Sequence, residues 1–150
     1  MSRDVEDLNR RLLRARDAMD RAYAEPLDVR TVAAVAHVSA AHFSRSFRAV
    51  FGETPHRYLQ RRRVERSMFL LRETDRSVTD ICFDVGFTSL GTFSRTFREI
   101  VGEPPSTYRL GHGPIVAPNC VQMANTRPRV AAGVARQSSS FGEAVAAAAP

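Results

Sequence analysis

The stretch Phe43-Ser44-Arg45-Ser46-Phe47-Arg48, followed by Gly52-Glu53-Thr54-Pro55 and Tyr58, returns as Phe93-Ser94-Arg95-Thr96-Phe97-Arg98, Gly102-Glu103-Pro104-Pro105 and Tyr108. The copies stand 50 residues apart, and with Ser39 and Ser89 they share ten identical positions in twenty. Two copies are too few for a solenoid, whose units need several neighbours to bury a core. The repeat therefore reads as a duplicated module. In each copy the Phe residues fall four apart, on one side of a helix, and Ser and Arg fall on the other.

Working outward, the same helical plan precedes each copy. Asp28 is a good N-cap for a helix over about 29–36, with Val32, Ala33 and Ala36 as its small packing side. His37-Val38-Ser39 breaks the pattern. His is enriched among non-glycine residues at positive φ, so His37 suits the turn, and Ser39 caps the next helix. That helix spans about 40–51, with Phe43, Phe47, Val50 and Phe51 expected to be buried. Gly52 stops it. A short helix, a tight turn and a second helix make a helix-turn-helix. In the second copy Ser77-Val78-Thr79-Asp80 opens a helix over about 78–84, Gly86 takes the turn, and Thr88-Ser89 caps a helix over about 89–101. Its expected buried face is Phe93, Phe97, Ile100 and Val101.

Three further segments complete the reading. Residues 5–23 repeat apolar positions at Val5, Leu8, Leu12, Ala15, Met19 and Tyr23, the spacing of an amphipathic helix. Thr54-Pro55 starts a helix over about 55–73, roughly 28 Å long, which reads as a rigid spacer between the modules. Pro105 opens a last short helix through Tyr108 and Arg109. The expected fold is all-α: two helix-turn-helix subdomains joined by a long linker helix over residues 1–110. Residues 111–150, with Pro114, Pro118, Pro128 and Ser138-Ser139-Ser140, read as a mostly disordered, low-complexity tail.

Charge points to a partner. The formal net charge is +6, and all 22 basic residues are Arg. Residues 28–63 hold seven Arg against Asp28 and Glu53, a basic stripe that suits a polyanion. A helix that reads double-stranded DNA must enter a major groove about 12 Å wide. Small residues let its backbone approach, and polar side chains then reach base edges. Ala41, Ser44 and Arg45 fit this in the first copy, and Leu90, Gly91, Ser94 and Arg95 in the second. Arg45 and Arg95 can each grip guanine O6 and N7, and Ala41 or Leu90 can meet a thymine methyl. Ser39, Arg48, Arg61, Arg62 and Arg98 are the candidates for phosphate. The competing reading makes Arg45 and Arg95 phosphate clamps or carboxylate partners, and the Arg61-Arg62-Arg63 run a solvated face. Arg63 is expected to pair internally with Glu99, Glu103 or Asp84.

Several classes find no support. Cys82 and Cys120 are far apart and make neither a zinc spacing nor a disulfide framework, which suits a reducing cytoplasm. His37 and His42 are five apart, not the four that share a helix face. Phosphate-binding glycine loops and nucleophile elbows are absent from the sequence, so neither an enzyme nor a cofactor is expected. No apolar run is long enough to span a membrane, and no signal peptide opens the chain.

The order of these residues resembles the AraC/XylS family of bacterial transcription regulators. The second half matches its signature through Val78, Ile81-Cys82, Gly86-Phe87, Phe93, Arg95, Phe97, Gly102, Pro105 and Tyr108-Arg109. The first half matches through Leu27, Ala33, Ser39, Phe43, Arg45, Phe47, Gly52, Pro55 and Tyr58, and the linker through Arg63-Val64-Glu65 and Leu70-Leu71. Cys82 and Ser67 stand where Ala is usual. The resemblance covers about residues 8–110. It implies two recognition helices in successive major grooves of one asymmetric site of about 20 bp, held by a single protomer and bent. It implies a transcription regulator, more often an activator touching RNA polymerase than a repressor. The chain is expected to be the stand-alone type, without an effector domain. The alternatives are a non-specific architectural DNA-binding protein and a protein-contact module.

Overall fold

In a computed structural model, residues 2–113 are described and fold into seven helices. These are α1 (Arg3–Arg21), α2 (Val29–Val35), α3 (Ala40–Phe51), α4 (Pro55–Glu73), α5 (Val78–Asp84), α6 (Leu90–Val101) and α7 (Pro105–Gly111). The expected tail lies outside the described residues from 114 onward. Side-chain caps set most of the helix starts. The Asp28 carboxylate accepts from Thr31 N–H at 2.7 Å, and the hydroxyls of Ser39, Thr54, Ser77 and Ser89 each accept from the N–H three residues on. Gly52 (φ 79°) and Gly102 (φ 97°) end α3 and α6 in the left-handed region. The two turns take the same backbone sign, through His37 (φ 56°) and Gly86 (φ 99°). The first module thus accepts the cost of a non-glycine residue there and the second does not.

Two hydrophobic cores sit along the chain, and α4 contributes to both. Leu12, Ala15 and Met19 of α1 join Val32, Ala33, Ala36, Phe43, Phe47, Tyr58 and Leu59 in the first. Val64 and Leu71 of α4 join Ile81, Cys82, Val85, Phe87, Phe93, Phe97 and Tyr108 in the second. The helix expected as a spacer is therefore also a wall of each core. The sequence repeat is visible as repeated packing. Phe43, Phe47 and Tyr58 form a chain with ring centroids 5.4 and 5.5 Å apart, and Phe93, Phe97 and Tyr108 repeat it at 5.8 and 5.5 Å. Such pairs add to area burial, and each buried Phe contributes on the order of 2–3 kcal/mol by burial alone.

Three expectations need correction. Val50 was placed on the buried face of α3 but is 46% exposed. A rotation of only about 20° separates it from Phe43, but it stands in the last turn of α3, past the fully buried Phe43 and Phe47. The first helix occupies Arg3–Arg21 rather than 5–23, because Ser2 caps it and Ala22 already leaves helical geometry. Arg63 takes no carboxylate. Its Nε donates to Tyr23 O at 2.6 Å and a terminal nitrogen donates to Glu25 O at 2.8 Å. Those carbonyls follow the C-terminal end of α1, where acceptors lack helical partners and the helix dipole favours a cation. Asp84 pairs instead with Arg76, and Glu99 with Arg57 at 3.6 Å. Glu103 lies 3.7 Å from the His112 ring nitrogen.

Two buried groups are satisfied or inert. The Ser67 hydroxyl, fully buried, donates to Val64 O at 2.6 Å. Cys82 is fully buried, and burial pushes its thiol pKa up, which disfavours the reactive thiolate.

Candidate nucleic-acid interface

The Phe residues that lock α3 into the first core decide what α3 presents to solvent. With Phe43 and Phe47 at 0% exposure, Ala41, Arg45 and Arg48 are exposed and Ser44 is half-buried. In α6, Phe93 and Phe97 are likewise fully buried, Gly91, Arg95 and Arg98 are exposed, Ser94 is half-buried and Leu90 is 40% exposed. The structure thus brings each expected base-reading set onto the outward side of one helix. Gly91 leaves open backbone: a Cβ there would meet nothing nearer than Ser89 Oγ at 3.8 Å.

Electrostatics separate the arginines into two groups. Arg61 is held by Glu53 and Glu65, each at 2.6 Å, and Arg62 by Asp20 at 2.9 Å and Glu65 at 2.8 Å. The hydrogen bond to Glu53 is the main reason the Arg61 pKa rises. Burial works against the charge of Arg62, but Asp20 and Glu65 overcome it and its pKa also rises. Both guanidinium groups were expected to be phosphate ligands, and in this structure a phosphate would compete with carboxylates for them. By contrast, none of the ion pairs among the described residues involves Arg45, Arg48, Arg95 or Arg98. Arg30 on α2 is also exposed and unpaired by the same measure. The basic stripe over residues 28–63 therefore narrows to Arg30, Arg45 and Arg48 as uncommitted charges. Ser39 is exposed, with its oxygen accepting the cap bond from His42 N–H, and its hydroxyl proton remains available as a donor.

Sequence reasoning gave Arg63 an internal role with the wrong partners and missed Arg109; both hold the scaffold through backbone carbonyls. Besides Arg63, Arg109 donates from Nε to Leu71 O at 3.0 Å and from a terminal nitrogen to Arg76 O at 2.5 Å, closing the end of α4. Each reaches an acceptor more than thirty residues away in sequence. No local spacing signals such a partner. Among the described residues no cluster of three or more His, Cys, Asp or Glu is placed to hold a metal, and no helix is long and apolar enough to cross a membrane.

Two capped helix-turn-helix units, each presenting a small-and-Arg face, define a DNA-binding helix-turn-helix fold. A profile of a helix-turn-helix domain family matches residues 32–111. The chain belongs to the AraC/XylS family of transcription regulators. It is 43% identical over 65 residues to the HTH-type transcriptional activator RhaS of Enterobacter sp. (strain 638), a match spanning 43% of this chain and 23% of that protein. It is 30% identical over 67 residues to the uncharacterized HTH-type transcriptional regulator YdeC of Bacillus subtilis (strain 168), spanning 45% of this chain and 23% of that protein. The chain thus matches under a quarter of the length of these relatives. The DNA-binding domain of AdpA, a global transcriptional factor solved in complex with a target DNA, superposes with a TM-score of 0.65 at 32% identity, covering 67% of this chain and 91% of that one. An AraC-type regulator from Chromobacterium violaceum superposes at 0.64 with 29% identity, covering 68% and 91%.

Proposed function

We propose that the chain is a sequence-specific DNA-binding transcription regulator that sets α3 and α6 into successive major grooves of one asymmetric duplex site. The observation that carries this reading is the duplication of an uncommitted guanidinium pair. Arg45 and Arg48 in α3, and Arg95 and Arg98 in α6, are exposed and unpaired while neighbouring arginines are neutralised by carboxylates. Unpaired arginines need no internal bond broken before gripping guanine or phosphate. In this reading Ala41, Ser44, Arg45, Leu90, Gly91, Ser94 and Arg95 face base edges, and Ser39, Arg48 and Arg98 hold the backbone. Arg61 and Arg62 contact phosphate only by exchanging their carboxylate partners. A single protomer supplies both helices, so the DNA complex is monomeric. The regulatory sign we favour is activation through contact with RNA polymerase, in keeping with the name of the relative RhaS. The test is selection of bound sequences from random duplex DNA at physiological salt with the full chain. An asymmetric motif with two halves about one helical turn apart is expected. Uniform recovery of all sequences would overturn the reading in favour of a non-specific architectural protein.

A further inference from the structure

Besides sharing α4, the two modules meet at one small joint. Tyr23, just past the end of α1, packs against both hydrophobic cores. Its carbonyl oxygen receives Arg63 Nε, and Glu25 O receives a terminal nitrogen of the same guanidinium. The guanidinium carbon lies 5.9 Å from the ring centroid of Phe87, a residue of the second core. Gly86, the turn residue of the second module, closes the joint. A Cβ on it would stand 2.9 Å from Arg63 Nε and 2.9 Å from Ala24 O. One side chain on α4 thus touches the end of the first module and the turn of the second. Burial lowers the pKa of this group, and its hydrogen bonds go to neutral carbonyls, not to an acid.

One of the ion pairs among the described residues also ties the modules, more weakly. Arg57 of α4 and Glu99 of α6 are 3.6 Å apart, the first half-buried and the second exposed. Exposed pairs of this kind are screened and contribute little. With that pair discounted, the turn before α6 is held against the segment that leads into α2 by the Arg63 joint, beside the packing of Tyr23 on both cores. The first of these is the turn of the second helix-turn-helix, and the other leads into the first.

We infer that Arg63 is a positioning residue: by clamping Tyr23 and Glu25 carbonyls beneath Gly86 it fixes the relation between α3 and α6, and so makes the chain selective for one spacing between its two half-sites. The inference rests on the reading that both recognition helices hold DNA together. One inserted base pair moves a half-site by about 3.4 Å along the axis and turns it by roughly 35°. A stiff joint cannot follow that change, and a loosened one can. Arg63 itself touches no base, so half-site sequence preference stays as it is.

The experiment selects bound sequences from a random library with the wild-type chain. It then measures affinities of the wild type, Arg63→Met and Arg63→Lys for the selected site, for versions with one base pair added or removed between the halves, and for each half alone. Circular dichroism melts confirm that each variant is folded. The wild type is expected to lose at least about tenfold on either altered spacing, because a base-edge contact is lost in one half. Arg63→Met, with no donor for either carbonyl, is expected to lose less than about threefold on the same change, while each isolated half binds within about twofold of wild type. Arg63→Lys, with one ammonium for two carbonyls, falls between them, and it carries the test alone should Arg63→Met fail to fold. Spacing profiles as sharp in the folded variants as in the wild type would overturn the inference. A wild-type selection with no two-part motif would instead overturn the two-helix reading beneath it.

Discussion

Arg63 Nε and Gly86 are so close that a methyl group on Gly86 would lie 2.9 Å from that nitrogen. The contact explains why the two modules, alike through their recognition helices, differ at the turn. His37 tolerates φ 56° in the first module, while Gly86 at φ 99° meets a neighbouring module's backbone and a half-buried cation.

Gly86→Ala should therefore destabilise far more than Gly102→Ala. Both positions have positive φ, but nothing lies within 4 Å of a Cβ on Gly102. Gly102→Ala is expected to cost about 1–2 kcal/mol for the left-handed backbone alone. Gly86→Ala adds a steric charge of about 1–3 kcal/mol. Urea unfolding of the two variants under one buffer reads the difference directly.

Phe47 and Val50, three residues apart on α3, should behave as a core residue and a surface residue. Phe47 is fully buried and touches the Phe43, Phe51 and Tyr58 rings, whereas Val50 is 46% exposed. Phe47→Ala is expected to cost about 3–5 kcal/mol, and Val50→Ala to stay within about 0.5 kcal/mol. Denaturant midpoints at a common slope check both.

Tyr58 gives the first core a response to alkali. Burial, and then its 2.8 Å hydrogen bond to Asp20, push the phenol pKa up to about 12 from 10.0. The fold favours the protonated phenol, so this stabilisation is complete below pH 10 and is lost as pH rises from there through about 12. Tyr58→Phe should cost about 1 kcal/mol at neutral pH for the lost hydrogen bond. The gap between wild type and variant should then narrow above pH 10. Thermal melts at pH 8, 9.5 and 11 are the measurement.

Salt dependence of DNA binding should sort the arginines by their present partners. Arg48→Ala or Arg98→Ala removes an uncommitted charge and is expected to reduce the slope of log affinity against log salt by about 1. Arg61→Ala removes a guanidinium already paired with Glu53 and Glu65, and a markedly smaller change is expected. Titrations at several salt concentrations on one duplex distinguish the two outcomes.

Most of the helical framework was legible in the sequence because its signals are local. Asp28, Ser39, Thr54, Ser77 and Ser89 announce helix starts within three residues, and Gly52 and Gly102 announce ends. The i, i+4 spacing of Phe43 with Phe47 and of Phe93 with Phe97 tells which face is buried, and so which face holds Arg45 and Arg95. What was not legible depends on distant partners. Arg63 reaches carbonyls 38 and 40 residues away, and carbonyls exist at every position, so no residue type marks the target. The pairing of Arg62 with Asp20 across 42 residues was hidden for the same reason, and a charge run that read as a phosphate clamp is partly an internal network. Helical periodicity gives Val50 nearly the direction of Phe43 but does not tell where along α3 the packing ends.

The most direct test of the two-helix reading is guanine-N7 methylation interference on the selected site, with wild type, Arg45→Ala and Arg95→Ala compared side by side. Methylation blocks the acceptor that a bidentate arginine needs. Methylated guanines in both halves are expected to weaken wild-type binding. Arg45→Ala should become indifferent to the guanine in one half only, Arg95→Ala to the guanine in the other, each at a cost of about 1–3 kcal/mol on the unmethylated site. Loss of sensitivity in the same half for both variants, or an unchanged interference pattern in either, would contradict the claim that the two copies read separate halves of one site.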